Sequence, residues 1–395
     1  MEVYILDNQF RRDSVTDRFE SLIWSERFFE KGDCQLTVES TSANRNLFLP
    51  DSYLAMNLSN RVMKIDSLED VSDNQGRSLL KIGGSSLESI FEDRIVINPA
   101  LKAWSSAEDF NAVWPIKKTP QAALNEIFQA ICVNNVRNPS DNLTNYDTGS
   151  FYPNDTNPKP TSSLQFEFPQ TNLYDILVEI CQIYNLGFRF VRHPVTSLLY
   201  FNIYSGRDRT STQTVDTPII FSQNLENLLD SSHLRKTEDV KNVAYVYNKK
   251  NFMEVVYPPN GNTSIKGFER KVLYVDATDI DLEVSDSTYM NVVRQRGQEE
   301  LAKHRNVELL DGQLPENINY VYGRDYNLGD LVELRSVDGL TNRMRVTEQI
   351  FVDDADGERA YPTLTVEDLV VPGTWQDWRF NIPWDDAVGT WSELD

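Results

Sequence analysis

The strongest constraint on this chain is a repeated pattern. Short runs alternate apolar and polar residues, and each run is broken by a cluster of turn formers. "SLIWSERFFEKGDCQLTVES" (residues 21–40) is two such runs around "EKGD". "SYLAMNLSNRVMKIDSLEDV" repeats the form around "LSNR", and "NQGRSLLKIGG" supplies a third. Period-two alternation places one face of each run on a core and the other in water. Several short strands at close spacing imply a small barrel or sandwich. "SSLESIFEDRIV" then changes period. Leu87, Ile90, Phe91 and Arg94 follow helical spacing, with Ser85 or Ser86 as the expected N-cap. Residues 1–97 are therefore expected to form a first β-domain closed by a short helix.

Residues 98–205 have another character. "TPQAALNEIFQAICVNN" puts Ala123, Ile127 and Ile131 on one helix face, with Thr119 as cap and Pro120 at the first helical position. A long stretch rich in Asn, Asp, Pro, Ser and Thr follows and reads as a loop. "TNLYDILVEICQIYNLG" is a second amphipathic helix, with Gly187 as its expected C-cap. "FRFVRH" and "SLLYFNIYS" are strands, so this segment is expected to be an α+β insert. Residues 206–371 return to β pattern. "VKNVAYVYNKK" is expected to pair with "NFMEVVYPP", and one long helix runs through "STYMNVVRQRGQEELAKHR", with Val292, Gln295, Glu299 and Ala302 marking its turns. The expected class is α+β and β-rich.

Residues 372–395, "PGTWQDWRFNIPWDDAVGTWSELD", form a composition island without a regular period. It holds Trp375, Trp378, Trp384 and Trp391, four of the seven tryptophans of the chain. Aromatics on an irregular segment are favoured interface anchors. These four are the candidate partner-binding residues, the equal alternative being that the segment folds back on its own domain, and the acidic groups around them call for a partner surface carrying Lys or Arg.

The chain is acidic, with a formal net charge of −22 over 395 residues. Such a surface repels phosphates, which argues against a sequence-specific nucleic-acid reader. No run approaches the ~18 apolar residues of a membrane helix. The N-terminal residues "MEVYILDNQF" lack a secretory pattern. Cys34, Cys132 and Cys181 are odd in number and widely spaced; Cys132 and Cys181 sit in apolar helical patterns and are expected to be small buried hydrophobes, and the protein is expected to be made in a reducing cytoplasm.

Each possible chemical motif has a plainer explanation. In "VYGRDYNLGDLVELRSVDG", Asp325 and Asp330 could form a carboxylate pair. "NLGD" is instead turn chemistry, and "LVELR" alternates as a half-buried strand does. "DDADGE" (residues 353–358) looks like part of a calcium loop, but strand patterns flank it, so a hairpin turn at "DG" is expected. "GGSS" (residues 83–86) lacks the Lys of a phosphate loop. His193, His233 and His304 stand alone. No nucleophile, metal set or cofactor motif is found, so no enzyme activity and no cofactor are expected.

"FESLIWSERFFEKGDCQLTVES", "LLKIGGSSLESIFEDRIV", "VKNVAYVY" and "YGRDYNLGDLVEL" occur in that order. Together they resemble the tail-tip (baseplate) hub proteins, or minor tail proteins, of long-tailed siphovirus bacteriophages, over roughly residues 15 to 370. The resemblance implies two related β-barrel domains with α+β insertions, here 1–97 and 206–371 with the insert 98–205 and the extension 372–395. It further implies a homotrimer whose six barrels continue a hexameric tail tube and enclose part of the DNA channel. The implied partners are the distal tail protein or tube ring, other tip or fibre proteins, and the tape measure protein. The implied location is the virion. Two rivals are weighed: a tail-associated cell-wall hydrolase, and a carbohydrate- or receptor-binding tail protein using exposed aromatics such as Trp104, Trp114 or the terminal tryptophans.

Overall fold

A computed structural model describes residues 1–72, 76–100, 114–149, 157, 159–161, 164–168, 170–228, 231–236, 239–249, 252–256, 265–278, 280, 286–304, 307–312, 320–335 and 341–366. The four tail tryptophans, Trp375, Trp378, Trp384 and Trp391, lie outside the described residues, as does Trp104.

The N-terminal region contains β1 (Val3–Leu6), β2 (Arg12–Thr16), β3 (Ser21–Arg27), β4 (Asp33–Glu39), α1 (Ser42–Leu47), β5 (Tyr53–Met56), β6 (Val62–Ser72) and β7 (Ser78–Ser86). The three sequence hairpins map onto β3–β4, β5–β6 and β6–β7, all antiparallel. A 3-10 helix, Leu87–Asp93, closes the region. Ser86 holds the N-cap position but makes no side-chain cap bond; its Oγ accepts from the Gly32 N–H at 2.8 Å.

The middle region contains β8 (Trp114–Lys118), α2 (Pro120–Phe128), β9 (Leu164–Phe168), α3 (Leu173–Tyr184), β10 (Gly187–Arg192) and β11 (Leu199–Tyr204). β8 pairs with β9, and β10 with β11. Thr119 caps α2 through its side chain, as its sequence position implies. α3 ends at Asn185, whose φ of 52° is left-handed; Gly187 instead opens β10. Asn is the residue after Gly that best tolerates this conformation. The apolar faces of both helices share one core with Leu6, Phe10 and Phe91 of the N-terminal region.

The last region contains β12 (Ile220–Ser222), β13 (Ser231–Lys236), β14 (Val243–Tyr247), β15 (Phe252–Val256), β16 (Val272–Asp276), α4 (Asp286–Lys303), β17 (Val307–Gly312), β18 (Leu331–Arg335), β19 (Thr341–Asp354) and β20 (Gly357–Val366). β14, β15 and β16 form their own three-stranded sheet, with α4 on one face and a core of their own. Val292, Gln295 and Glu299 of α4 are only half-buried; the face it buries carries Tyr289, Val293 and Leu301. Gly297 hides this stripe from a sequence pattern, since it sits where the helix comes nearest the sheet.

Among the described residues, thirteen strands pair in one sheet, in the order β13-β17-β20-β19-β3-β4-β7-β6-β5-β1-β2, with β12 and β18 alongside. β19 makes this possible. Its residues 341–345 pair with β18, and its residues 348–353 pair with β3. A register shift between Val346 and Glu348 lets the two partners lie end to end along one edge. The two β-rich regions are thereby joined through their backbones. The fold is β-rich α+β. Among the described residues no pairing closes the sheet on itself, and two barrels remain an expectation.

Candidate functional site

Two places bring side chains from different regions together. The first is the joint around Phe28, which directly follows β3. Its N–H donates to the Thr347 carbonyl at 2.9 Å, within the β19 bulge. Its ring is fully buried and meets Tyr204 edge-on, with centroids 5.3 Å apart. Two glycines make room for that ring. A Cβ on Gly187 or on Gly329 would come within 2.4 Å of it, and Gly329 also has φ of +89°. The "NLGD" glycine thus serves both a turn and a close approach.

Beside this joint lies a buried ion cluster. Arg61, from the β5–β6 turn, pairs with Glu88 of the 3-10 helix, and both are nearly inaccessible. Glu88 also accepts from the Phe190 N–H of β10 at 2.7 Å. Glu26 of β3 accepts from Tyr322 Oη at 3.0 Å and from the Ser59 hydroxyl, 3.9 Å from Arg61 Nε. Burial opposes the Arg61 charge, but the Glu88 carboxylate, with Tyr204 and Glu26 behind it, holds its pKa above the ordinary guanidinium value. Burial, helped by Glu26, raises the Tyr322 phenol well above its usual range. The cluster is a polar rivet between regions, in which Glu88 Oε2 is left buried without a hydrogen-bond partner.

The second place is a cleft of about 1010 Å³ between the middle and last regions. Arg189, Arg207, Arg209, Lys159 and Arg324 line it, with Asp330 as the one lining carboxylate among the described residues. Asp330 is 2% exposed and accepts from Arg207 N–H, Arg209 Nε and Asn327 N–H at 2.8, 2.8 and 3.0 Å. Burial nevertheless raises its pKa. Asp216 lies 3.6 Å from Arg207 and 4.0 Å from Arg209. Tyr204 forms part of the wall, with the Arg189 guanidinium 4.0 Å from its ring centroid.

The motifs considered in the sequence resolve as structural parts. Asp325 caps its own turn, accepting from Val321 N–H at 2.7 Å and from Arg324 Nη2 at 2.8 Å; Arg324 holds its pKa below the usual range. Asp330 is locked in the bonds just described, and β18 begins directly after it. "DDADGE" is the β19–β20 hairpin, with Asp354 and Asp356 both turned to Arg359. Among the described residues no group of three or more His, Cys, Asp or Glu is arranged to hold a metal. His193 Nδ1 accepts from Val195 and Thr196 N–H groups in a turn. All three cysteines are free and buried, and burial pushes the Cys34 and Cys132 thiols up to about 12. Trp114 is 7% exposed inside β8, so it is no surface for stacking sugars. Among the described residues no helix is long and apolar enough to cross a membrane.

The family model for the Siphovirus ReqiPepy6 Gp37-like protein matches residues 2–364. The chain belongs to this siphovirus family. Comparison with curated proteins returned no match. Two solved structures share the fold of this Gp37-like family member along nearly its whole length. A tail protein from Neisseria meningitidis MC58 is 11% identical with a TM-score of 0.55, covering 93% of this chain and 96% of that one. The 43 kDa tail protein of prophage MuSo2 from Shewanella oneidensis is 11% identical with a TM-score of 0.51, covering 92% and 97%. At such identity the likeness is one of fold. The siphovirus resemblance read from the sequence holds. The joint and the cleft of this Gp37-like chain were missed, because their residues are far apart in sequence. Gly329 and Asp330 of the turn, and Gly187 as an expected helix end, gave local signals that did not reveal which residues they meet.

Proposed function

We propose that the chain is a structural component of the phage tail tip: a homotrimeric hub that joins the hexameric tail tube to tip or receptor-binding proteins and lines part of the DNA channel. The observation that carries this reading is the β3–β19 seam. It welds two β-rich regions into one sheet, so that one subunit offers two β units to a ring, and three subunits offer six. The end-to-end likeness to tail proteins supports it, as does an acidic chain that would let DNA slide past without sticking. Neighbours are expected to be the distal tail protein or tube ring, fibre or tip proteins, and the tape measure protein. No chemistry is assigned. Light scattering behind a sizing column tests the reading. A mass three times 45.5 kDa, with a central hole in images of the particle, is expected. A chain that stays monomeric and is missing from purified tails overturns it.

A second reading, a carbohydrate- or receptor-binding tail protein, is favoured by one observation. On the face of the β14–β16 sheet opposite α4, Tyr247, Phe252 and Tyr274 are 47%, 53% and 63% exposed. Binding of the purified chain to host cells, lost in Tyr274→Ala, supports that reading; no binding removes it.

A further inference from the structure

We infer that the unit of β14, β15, β16 and α4 is an arm: a self-contained module that turns as one body beside the β13–β17 pair and is held against the middle region by an ionic clasp between α3 and α4. Three observations point there. The first is that the module has its own core. Among the described residues, β14, β15 and β16 pair only with one another, and their apolar face packs on Tyr289, Val293 and Leu301 of α4. Among the described residues, no side chain of the middle region or of the thirteen-stranded sheet belongs to that core. A unit that buries its own apolar face keeps its fold when it moves.

The second is the way the module is attached. The chain enters it from β13 and leaves it into β17. These strands pair with each other, and the pair Lys236 with Val307 brings entry and exit together. On the module side, Lys241 N–H donates to the His304 carbonyl at 3.0 Å. Attachment along one line leaves rotation free unless a broad contact opposes it.

The third is the contact that does oppose it. The main packing contact between the module and the rest is α4 against α3. Among the described residues the two helices share no apolar cluster. Ile176, Leu177, Ile180 and Cys181 of α3 belong to the core of the middle region, and the buried side chains of α4 to the core of the module. Lys303 Nζ spans the gap, 2.9 Å from Glu179 Oε1 of α3 and 3.0 Å from Glu300 Oε1 of its own helix. Lys303 and Glu179 are 38% and 39% exposed, so salt screens the pair. An exposed pair shifts an equilibrium by about fivefold at most. Small polar contacts of this kind permit domain motion, whereas large apolar ones oppose it. The sheet face bearing Tyr247, Phe252 and Tyr274 lies opposite α4, so rotation of the module re-aims that face. This inference depends neither on the trimer nor on what that face binds.

The distance between two spin labels in the full-length chain, read by double electron–electron resonance, tests it. Phe268→Cys, at a fully exposed site on the module, and Val15→Cys, at a site 57% exposed on β2, take the labels. Cys34, Cys132 and Cys181 are buried and escape them. Labelled chain is diluted into unlabelled chain, so that each distance lies within one copy. The native clasp is expected to give one main distance. Glu179→Lys and Lys303→Glu, which each set like charges together, are expected to enlarge a second component by up to about fivefold, as is raised salt in the native chain. Combining the two substitutions restores opposite charges and is expected to return the native distribution. The two variants lie on different helices, so failure of one to fold leaves the other as the test. A distribution identical in the native chain and in both single variants, at low and at high salt, overturns the proposal. A change that the combined substitutions do not reverse also overturns it, because each variant then acts on its own helix.

Discussion

Phe28 shows how much one side chain can carry when three parts of the chain converge on it. Its ring is held between Gly187 and Gly329, residues that no local pattern connects to it. Phe28→Ala is expected to lower the unfolding free energy by about 3–5 kcal/mol, the usual cost of emptying a fully buried aromatic site. Urea denaturation followed by circular dichroism measures this. Asp325→Asn makes the opposite point. An Asn oxygen still accepts the Val321 N–H, so unfolding and assembly are expected to change little, by about 0.5 kcal/mol or less, and a larger loss would give Asp325 a role beyond its turn. At this scale the sequence was legible wherever the cause is local. Thr119 before Pro120 reads as a helix start because the cap bond closes within three residues. The αL residue of α3 was assigned to Gly187 because Gly is the usual occupant, whereas Asn185 has it. The Phe28 joint was illegible because its partners come from distant stretches.

Individual strands and helices were recoverable from periodicity, and their partners mostly were not. Hairpins such as β3–β4 and β14–β15 were readable because the turn fixes the pairing. β14 beside β16 in parallel, and β19 beside β3, were not, since nothing local specifies which edges meet. Two predictions belong to elements. Val332 of β18 is fully buried. Val332→Asp places a charge in that core without a partner and is expected to abolish folding and any assembly, seen as loss of soluble protein or of the sizing peak. On α4, burial pushes the Glu299 carboxyl up to about 7, with a Gln295 hydrogen bond opposing it. A carboxyl whose folded pKa is raised favours the protonated folded state. It does not penalise folding below its ordinary pKa, and it weakens folding as pH rises through that value toward 7. Glu299→Gln is therefore expected to raise the melting point at pH 8 by an amount corresponding to about 1 kcal/mol after allowance for solvent screening, and to change it little at pH 4. Equal effects at both pH values would show that the carboxyl titrates normally.

The molecule as a whole combines a large acidic charge with a cleft lined by Arg189, Arg207, Arg209, Lys159 and Arg324, and a sheet that spans both β-rich regions. Composition made the first legible; the second appeared only once Arg207, Arg209 and Arg324 were brought together by the fold. One expectation follows for the whole particle. If the hub assembles as three copies, raising ionic strength should favour it by screening the repulsion between subunits of net −22, and light scattering across a salt series reads the mass. A mass that falls with salt would mean that attraction between charges, rather than apolar and backbone contact, holds the copies together.

The β3–β19 seam also governs when the protein can finish folding. Strand β3 emerges early from the ribosome, and its partner along that edge follows about 320 residues later. At 5–20 residues per second, the edge waits roughly 15–60 s for its neighbour. During that interval the row of unpaired N–H and C=O groups on β3 is open to any passing strand. Completion is late and slow, as a contact of such sequence separation requires. The nascent half-sheet is therefore the stage at which this chain depends most on being kept apart from its neighbours.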